Sequence, residues 1–272
     1  MPPALVHLRA WLPCLAAALT AGCASWMPLS DDAPVATRMA RLLPADVLLL
    51  GEQHDAADHH AIERQAVEAL VRQGKLAALA IEMAEEGQGT AHLNESASEA
   101  QVQAALSWND KAWAWADYGP VVMAAVQAGV PVLGANLPRE RMKDAMADVS
   151  LDVQLADPEL EAQRQAVRDG HCGLLPEAQI VPMTRVQIAR DRAMAQSVMK
   201  ARSPGKTVLL IAGAGHTTKT LGVAQHLPTD VRVKSVQLAA GRNQPAAGHD
   251  ATWRTPALPA KDYCAKLKAD RG

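Results

Sequence analysis

The chain has 272 residues, 49% of them hydrophobic, with no Phe, two Tyr, six Trp, four Cys and a formal net charge of −2. That length accommodates one large α/β domain or two small ones, with a sizeable aliphatic core. The near-neutral balance excludes a nucleic-acid binder, which would carry a basic stripe, and no repeat at solenoid periods is present.

The amino terminus stands apart from the rest. No acidic residue precedes Asp31, Arg9 supplies a positive start, and Ala10 to Leu19 is mostly apolar. Residues 1–22 therefore read as an export signal, too short to span a bilayer. The run Leu19-Thr20-Ala21-Gly22-Cys23 resembles a bacterial lipobox, with Cys23 as the residue to be lipidated. An ordinary cleaved secretory signal is the other reading. No later stretch is long and apolar enough to cross a membrane. Cys14 leaves with the signal, so Cys172 and Cys264 remain as an even pair in an oxidising compartment, a candidate disulfide.

Residues 23–37 read as a polar tether, 38–240 as the folded domain and 241–272 as an irregular tail rich in Pro and Gly. Val47 to Leu50 is an unbroken apolar run, suited to a strand buried on both faces, and Gly51 ends it. From Ala61 the spacing turns helical, with Asp55 as candidate cap and Asp58 in the first turn. Ala77 to Met83 is a second strand, about one βαβ unit later, so right-handed crossover makes it parallel to the first. A polar excursion to Ser107 follows, then Trp108, Trp113, Trp115 and Tyr118. A helix from Pro120, a strand over 131–136, helices between Pro158 and Arg202 with a break at 170–182, and strands over 207–212 and 231–238 complete the pattern. The expected fold class is α/β: a mainly parallel sheet flanked by helices, with a helical insertion.

Gly51-x-x-His54 and Gly213-x-x-His216 each follow a buried apolar strand, where ligands of open α/β sheets bind. Glu52 and Glu82 lie at the same kind of strand end. Two imidazoles and two carboxylates there suit a divalent transition metal, with Glu52, His54 and His216 as candidate ligands. Glu52, His54, Glu82 and His216 could equally work as general acids and bases on a bound water. His59 and Glu63 have i, i+4 spacing, which suits either a metal-ligand pair or, as the preferred reading, a surface ion pair, and His226 and His249 read as solvated. The Trp108–Tyr118 stretch either walls a flat apolar ligand or packs the insertion. Arg185, Arg190 and Arg192 form a solvated or ion-paired face, from which one Arg could meet a ligand carboxylate. Dinucleotide, P-loop and Gly-x-Ser-x-Gly motifs are absent.

Gly-Glu-Gln-His at 51–54, Ile-Glu-Met at 81–83, Trp115-x-x-Tyr118-x-Pro120, Asn136-x-Pro138-Arg139 and Gly-Ala-Gly-His-x5-Gly-Val at 213–223 occur in that order. Together they resemble the ChaN-like family of iron-regulated, haem-binding lipoproteins, from about Pro44 to Leu227. The resemblance implies a haem-binding α/β protein in iron uptake or haem handling. It would be lipid-anchored in the bacterial cell envelope, facing the periplasm from the outer membrane, and could form a homodimer around stacked haems. His216, His54, Tyr118, Asn136 and Arg139 are then the cofactor-binding positions. The same resemblance extends to the TIKI/TraB proteases and erythromycin-esterase-like hydrolases, so the alternative is a metal-dependent hydrolase. The stretch Thr217 to Gly222 holds no tyrosine where the family places a haem-ligating one, which leaves His216 as the nearest donor there.

Overall fold

The structure is a computed structural model that describes residues 32–242, 247–265 and 268. The export signal and Cys23 lie outside the described residues. Six strands form one sheet: β1 (Val47–Glu52), β2 (Leu76–Glu85), β3 (Val132–Asn136), β4 (Thr207–Gly213), β5 (Val233–Ala240) and β6 (Ala251–Thr255), in the order β3-β2-β4-β1-β5-β6. Every neighbouring pair is parallel. Strand β4 thus lies between β1 and β2, with Gly213 level with Glu52.

Eight helices among the described residues cover the sheet: α1 (Val35–Ala40), α2 (Ala57–Arg72), α3 (Glu99–Ala105), α4 (Trp115–Val126), α5 (Met142–Ala147), α6 (Asp157–Gly170), α7 (Ile180–Lys200) and α8 (Ala214–Thr217). Successive strand residues face opposite sides. Leu48, Leu50, Leu79, Ile81, Leu209 and Ile211 accordingly pack with Met39, Leu70 and Val122 from α1, α2 and α4. Val47, Leu49, Ala78, Ala80 and Leu210 pack with Met194 and Val198 from α7. The insertion has its own cluster, in which Leu160 of α6 meets Val186 and Ile188 of α7. None of the described helices is long and apolar enough to cross a membrane.

Three boundaries differ from the sequence expectations. The segment read as tether runs into α1, because Val35 buries its side chain in the core. Helix α2 starts at Ala57, and Asp55 makes no capping bond. Its carboxylate instead takes Lys261 Nζ at 2.9 Å and Tyr263 OH at 3.1 Å from the tail. That tail is not irregular throughout, since residues 251–255 add β6 to the sheet edge. Trp253 anchors the strand, 5% exposed, with the Arg38 guanidinium 4.5 Å over its ring. One buried side chain flanked by polar neighbours is typical of an edge strand and gives little periodic signal. Beyond it, Cys264 is bonded to Cys172, 92 residues away, with the Cα atoms 5.8 Å apart.

Candidate functional site

The carboxyl ends of β2, β4 and β1 open into a cleft of about 1080 Å³. Parallel pairing brings their turns to one edge, and the strand order sets Glu82 and Glu52 on either side of Gly213. Glu52, His54, Glu82, Asn136 and His216 all line the cleft, with Gln53, Trp113, Arg190, Leu238, Lys261 and Tyr263.

Two carboxylate–histidine pairs face each other across Gly213. In the first, His54 Nδ1 lies 2.7 Å from Glu52 Oε1, which also accepts Tyr118 OH at 2.8 Å. In the second, His216 Nδ1 lies 2.7 Å from Asp191 Oδ1, and its Nε2 is 3.5 Å from Glu82 Oε1. Glu82 Oε2 accepts the Gly213 N–H at 2.7 Å and sits 3.8 Å from His54 Nε2. A side chain at 213 would crowd this arrangement, for a Cβ there would stand 2.9 Å from His54 Nε2.

Burial alone would lower the pKa of His216, but Asp191 and Glu82 outweigh it and raise the ring to about 9. Burial likewise works to lower the His54 pKa, but Glu52 and Glu82 override it and raise the ring above its ordinary value. Glu52 is held low: desolvation works against ionisation, yet the hydrogen bond from His54 and the close approach of His60 prevail. Tyr118 is pushed up by burial and by the Glu52 charge, so it stays a phenol that donates to Glu52. At neutral pH the His216 ring therefore favours its protonated form between Asp191 and Glu82, and binding a metal through Nε2 would displace that proton.

Several side chains sit elsewhere than the sequence suggests. Tyr118, 2% exposed, lies beneath the cleft and supports Glu52 without lining it. Asn136 holds its place by donating to the Glu82 carbonyl at 3.0 Å, and its Oδ1 is buried without a partner. Arg139 is exposed and lines an adjoining lobe of about 450 Å³ that shares Glu82, Trp113, Asn136 and Arg190 with the main cleft. The aromatic stretch divides: Trp113 stands 4.8 Å from the His54 ring in the cleft wall, while Trp108 packs edge-on to Trp115 at 5.0 Å. The arginines divide as well. Arg185 grips Asp152 at 2.8 and 2.6 Å, whereas Arg190 lines the cleft with its Nε unpartnered.

His59, His60 and Glu63 are not on the surface; all three are buried. The ring of His59 accepts Gln53 N–H at Nδ1, 2.9 Å, and meets Thr255 Oγ1 through Nε2 at 3.1 Å, so β6 covers the start of α2. Burial lowers its pKa to about 4. His226 is lowered by burial to about 4 as well, and His249 meets Thr217 Oγ1 at 3.2 Å; neither is simply solvated. Asp191, Lys261 and Tyr263 were not assigned to the site from the sequence. Asp191 falls on the buried stripe Thr184, Ile188, Asp191, Ala195 of α7, and an acid on such a stripe is the signal that identifies it.

A parallel α/β sheet with a polar, aromatic-walled cleft at its carboxyl edge has the general form of a small-molecule site. A family model described as haem-binding uptake, Tiki superfamily, ChaN matches residues 38–227, and the chain belongs to that family. Among solved structures it is similar to ChaN of Campylobacter jejuni, described as binding haem cofacially. The identity is 24% over 76% of this chain and 87% of that one, with a TM-score of 0.64. That likeness shows the shared fold. Weaker likenesses are to the type III effector HopBA1 (18% identity, TM-score 0.44, 83% and 94% of the two chains) and to a Bacillus cereus protein (14%, 0.42, 75% and 67%). No protein in the curated set matches.

Proposed function

We propose that the chain binds haem in the cleft at the carboxyl edge of its sheet, as a lipid-anchored protein of the bacterial cell envelope that handles haem for iron acquisition. The observation that carries this reading is the composition of one wall and floor. Trp113 and Leu238 to Ala240 offer apolar surface, Arg190 offers an unpartnered donor, and His54 and His216 offer imidazole nitrogens. An iron porphyrin needs those three things: a flat apolar slot, cations for its propionates and an axial donor.

The residues present suit the group. His54 is the more accessible imidazole, with 36% of its side chain exposed against 13% for His216. Tyr263 adds a phenol to the cleft lining, 53% exposed, in a position that does not depend on the missing tyrosine near Leu221. Bound haem would supply an iron centre open to axial coordination. The chain's own part is to present a donor, seat the ring against Trp113 and neutralise carboxylates through Arg190 and Lys261, with Asn136 and Arg139 at the adjoining lobe. Membership of the haem-binding family supports this. The bonded Cys172–Cys264 pair supports an oxidising compartment, and the lipobox-like run supports anchoring through Cys23. Facing the periplasm from the outer membrane, and pairing as a homodimer around stacked haems, are parts of the same proposal.

Haem titration of the full chain in detergent tests the reading. The expected result is a saturable Soret band at one haem per chain, weakened at least about tenfold in His54→Ala or His216→Ala, since even outer-shell losses cost about 10–100-fold. A chain that leaves the spectrum of free haem unchanged would overturn it. Sedimentation with and without haem reports on the dimer, and detergent partitioning of Cys23→Ser on the anchor.

One arrangement favours the hydrolase as a second reading. Asp191, His216 and Glu82 form a buried acid–base–acid line opposite the Glu52–His54 pair. Such a set could orient a water for attack, with a divalent metal held by Glu52, His54 and His216 to lower its pKa. Metal-dependent ester or peptide cleavage lost in His216→Ala would favour it over the carrier.

A further inference from the structure

Glu52 has a second face. Its Oε1 serves the cleft through His54 and Tyr118, while its Oε2 points the other way, toward α2. There it meets His60 and Glu63, which lie three residues apart and so share one face of the helix. One donor atom from each of Glu52, His60 and Glu63 lies within 4.8 Å of those of the other two. The three residues are 2%, 9% and 0% exposed.

The atoms converge without satisfying one another. His60 Nε2 stands 3.2 Å from Glu52 Oε2, yet neither atom has a hydrogen-bond partner, and neither do the two carboxyl oxygens of Glu63. Four orphaned polar atoms in a dry pocket would each cost free energy if nothing bound them. Two carboxylates side by side compound the cost, because like charges repel strongly where water is excluded. A divalent cation answers both problems, since it accepts electron pairs from all three groups and neutralises two negative charges.

We propose that Glu52, His60 and Glu63 form a buried structural site for a divalent transition metal of the zinc class, separate from the cleft. One imidazole nitrogen with carboxylate oxygens suits zinc, manganese or ferrous iron. Magnesium and calcium fit poorly, because they prefer near-complete oxygen coordination with several waters. The Tyr118 ring packs 4.7 Å from His60 and closes one side, so the ion would be enclosed as the chain folds. The proposal does not depend on haem binding in front of Glu52.

Elemental analysis of the full chain, refolded with Zn²⁺ and dialysed, gives the test. About one equivalent of zinc per chain is expected, falling at least about tenfold in the near-isosteric Glu63→Gln and unchanged in His216→Ala. Zinc X-ray absorption of the native protein supplies a reading that needs no variant to fold: one imidazole among oxygen donors supports the site. Two imidazoles, or zinc lost from His216→Ala but kept by Glu63→Gln, would move the metal to the cleft and overturn the proposal. A metal-free chain after refolding with Zn²⁺, Mn²⁺ or Fe²⁺ would overturn it too, leaving a shared proton to hold the two carboxyl groups together.

Discussion

Gly213→Ala tests whether the two halves of the cleft depend on close approach across β4. Gly213 has φ −54° and ψ 144°, a conformation open to alanine, so the backbone itself does not resist the change. The added methyl would lie 2.9 Å from His54 Nε2, 3.3 Å from Cε1 and 3.5 Å from Glu82 Oε2. His54 must give way by about half an ångström or swing outward, as ordinary carbon contacts begin at about 3.5 Å. Swinging outward breaks its 2.7 Å contact with Glu52. A hydrogen bond to a charged group contributes about 1.5–3 kcal/mol, partly recovered when the ring reaches water. A net loss of about 1–2 kcal/mol would lower Tm by roughly 2–8 °C in a chain of this size. The site should suffer more than the fold. The His54 pKa, raised in the native chain, should drop toward the ordinary value in an NMR titration. Haem affinity should fall about tenfold. A variant with native His54 titration and native haem affinity would refute the reasoning.

Asp191→Asn should bring the His216 pKa down from about 9 toward 6.5, visible by NMR, because the neutral amide no longer holds the proton on the ring. Stability should decline at both ends of the pH scale. His216, raised in the folded chain, contributes fully below about 6.5, and that contribution is lost as pH climbs through about 9. His59, depressed to about 4, makes folding less favourable as pH falls from about 6.5 toward 4, with a ceiling of about 3 kcal/mol for each group. Denaturant melts from pH 4 to 10 would show both limbs, and a flat profile would contradict both assignments. Replacing Cys172 and Cys264 with Ser should cost up to about 4–5 kcal/mol by loop-closure entropy across 92 residues, read as a lower Tm. It should also raise hydrogen exchange around Tyr263 and Lys261.

Much of the architecture was legible because buried parallel strands announce themselves as apolar runs. Val47–Leu50, Ala78–Ile81 and Val208–Ala212 are runs in inner strands with both faces covered. The paired Gly-x-x-His turns were legible for the same reason, since each ends such a run. Strand order was not, because nothing in βαβ spacing says that β4 enters between β1 and β2. That insertion brings the turn after β4, with Gly213 and His216, between Glu52 and Glu82. The burial of His59, His60 and Glu63 was hidden for a related reason. Their covers are Thr255 of β6 and Tyr118 of α4, far along the chain, whereas local periodicity shows only which helix face is apolar. Asp55 looked like a cap because an acid before a helix usually is one; the tail's Lys261 and Tyr263 claim it instead.

The two-sided carboxylate of Glu52 has a consequence for how this molecule is dissected by mutation. Glu52→Gln or Glu52→Ala would disturb His54 and Tyr118 on one side and His60 on the other in a single step. A loss of function in such a variant would say nothing about which side failed. Interpretable information comes from the flanks, with His54 changed on one side and Glu63 on the other. A double-mutant cycle between those two measures what passes through the shared residue. Its coupling term should be well away from zero although the two side chains belong to different neighbourhoods, because Glu52 reports to both.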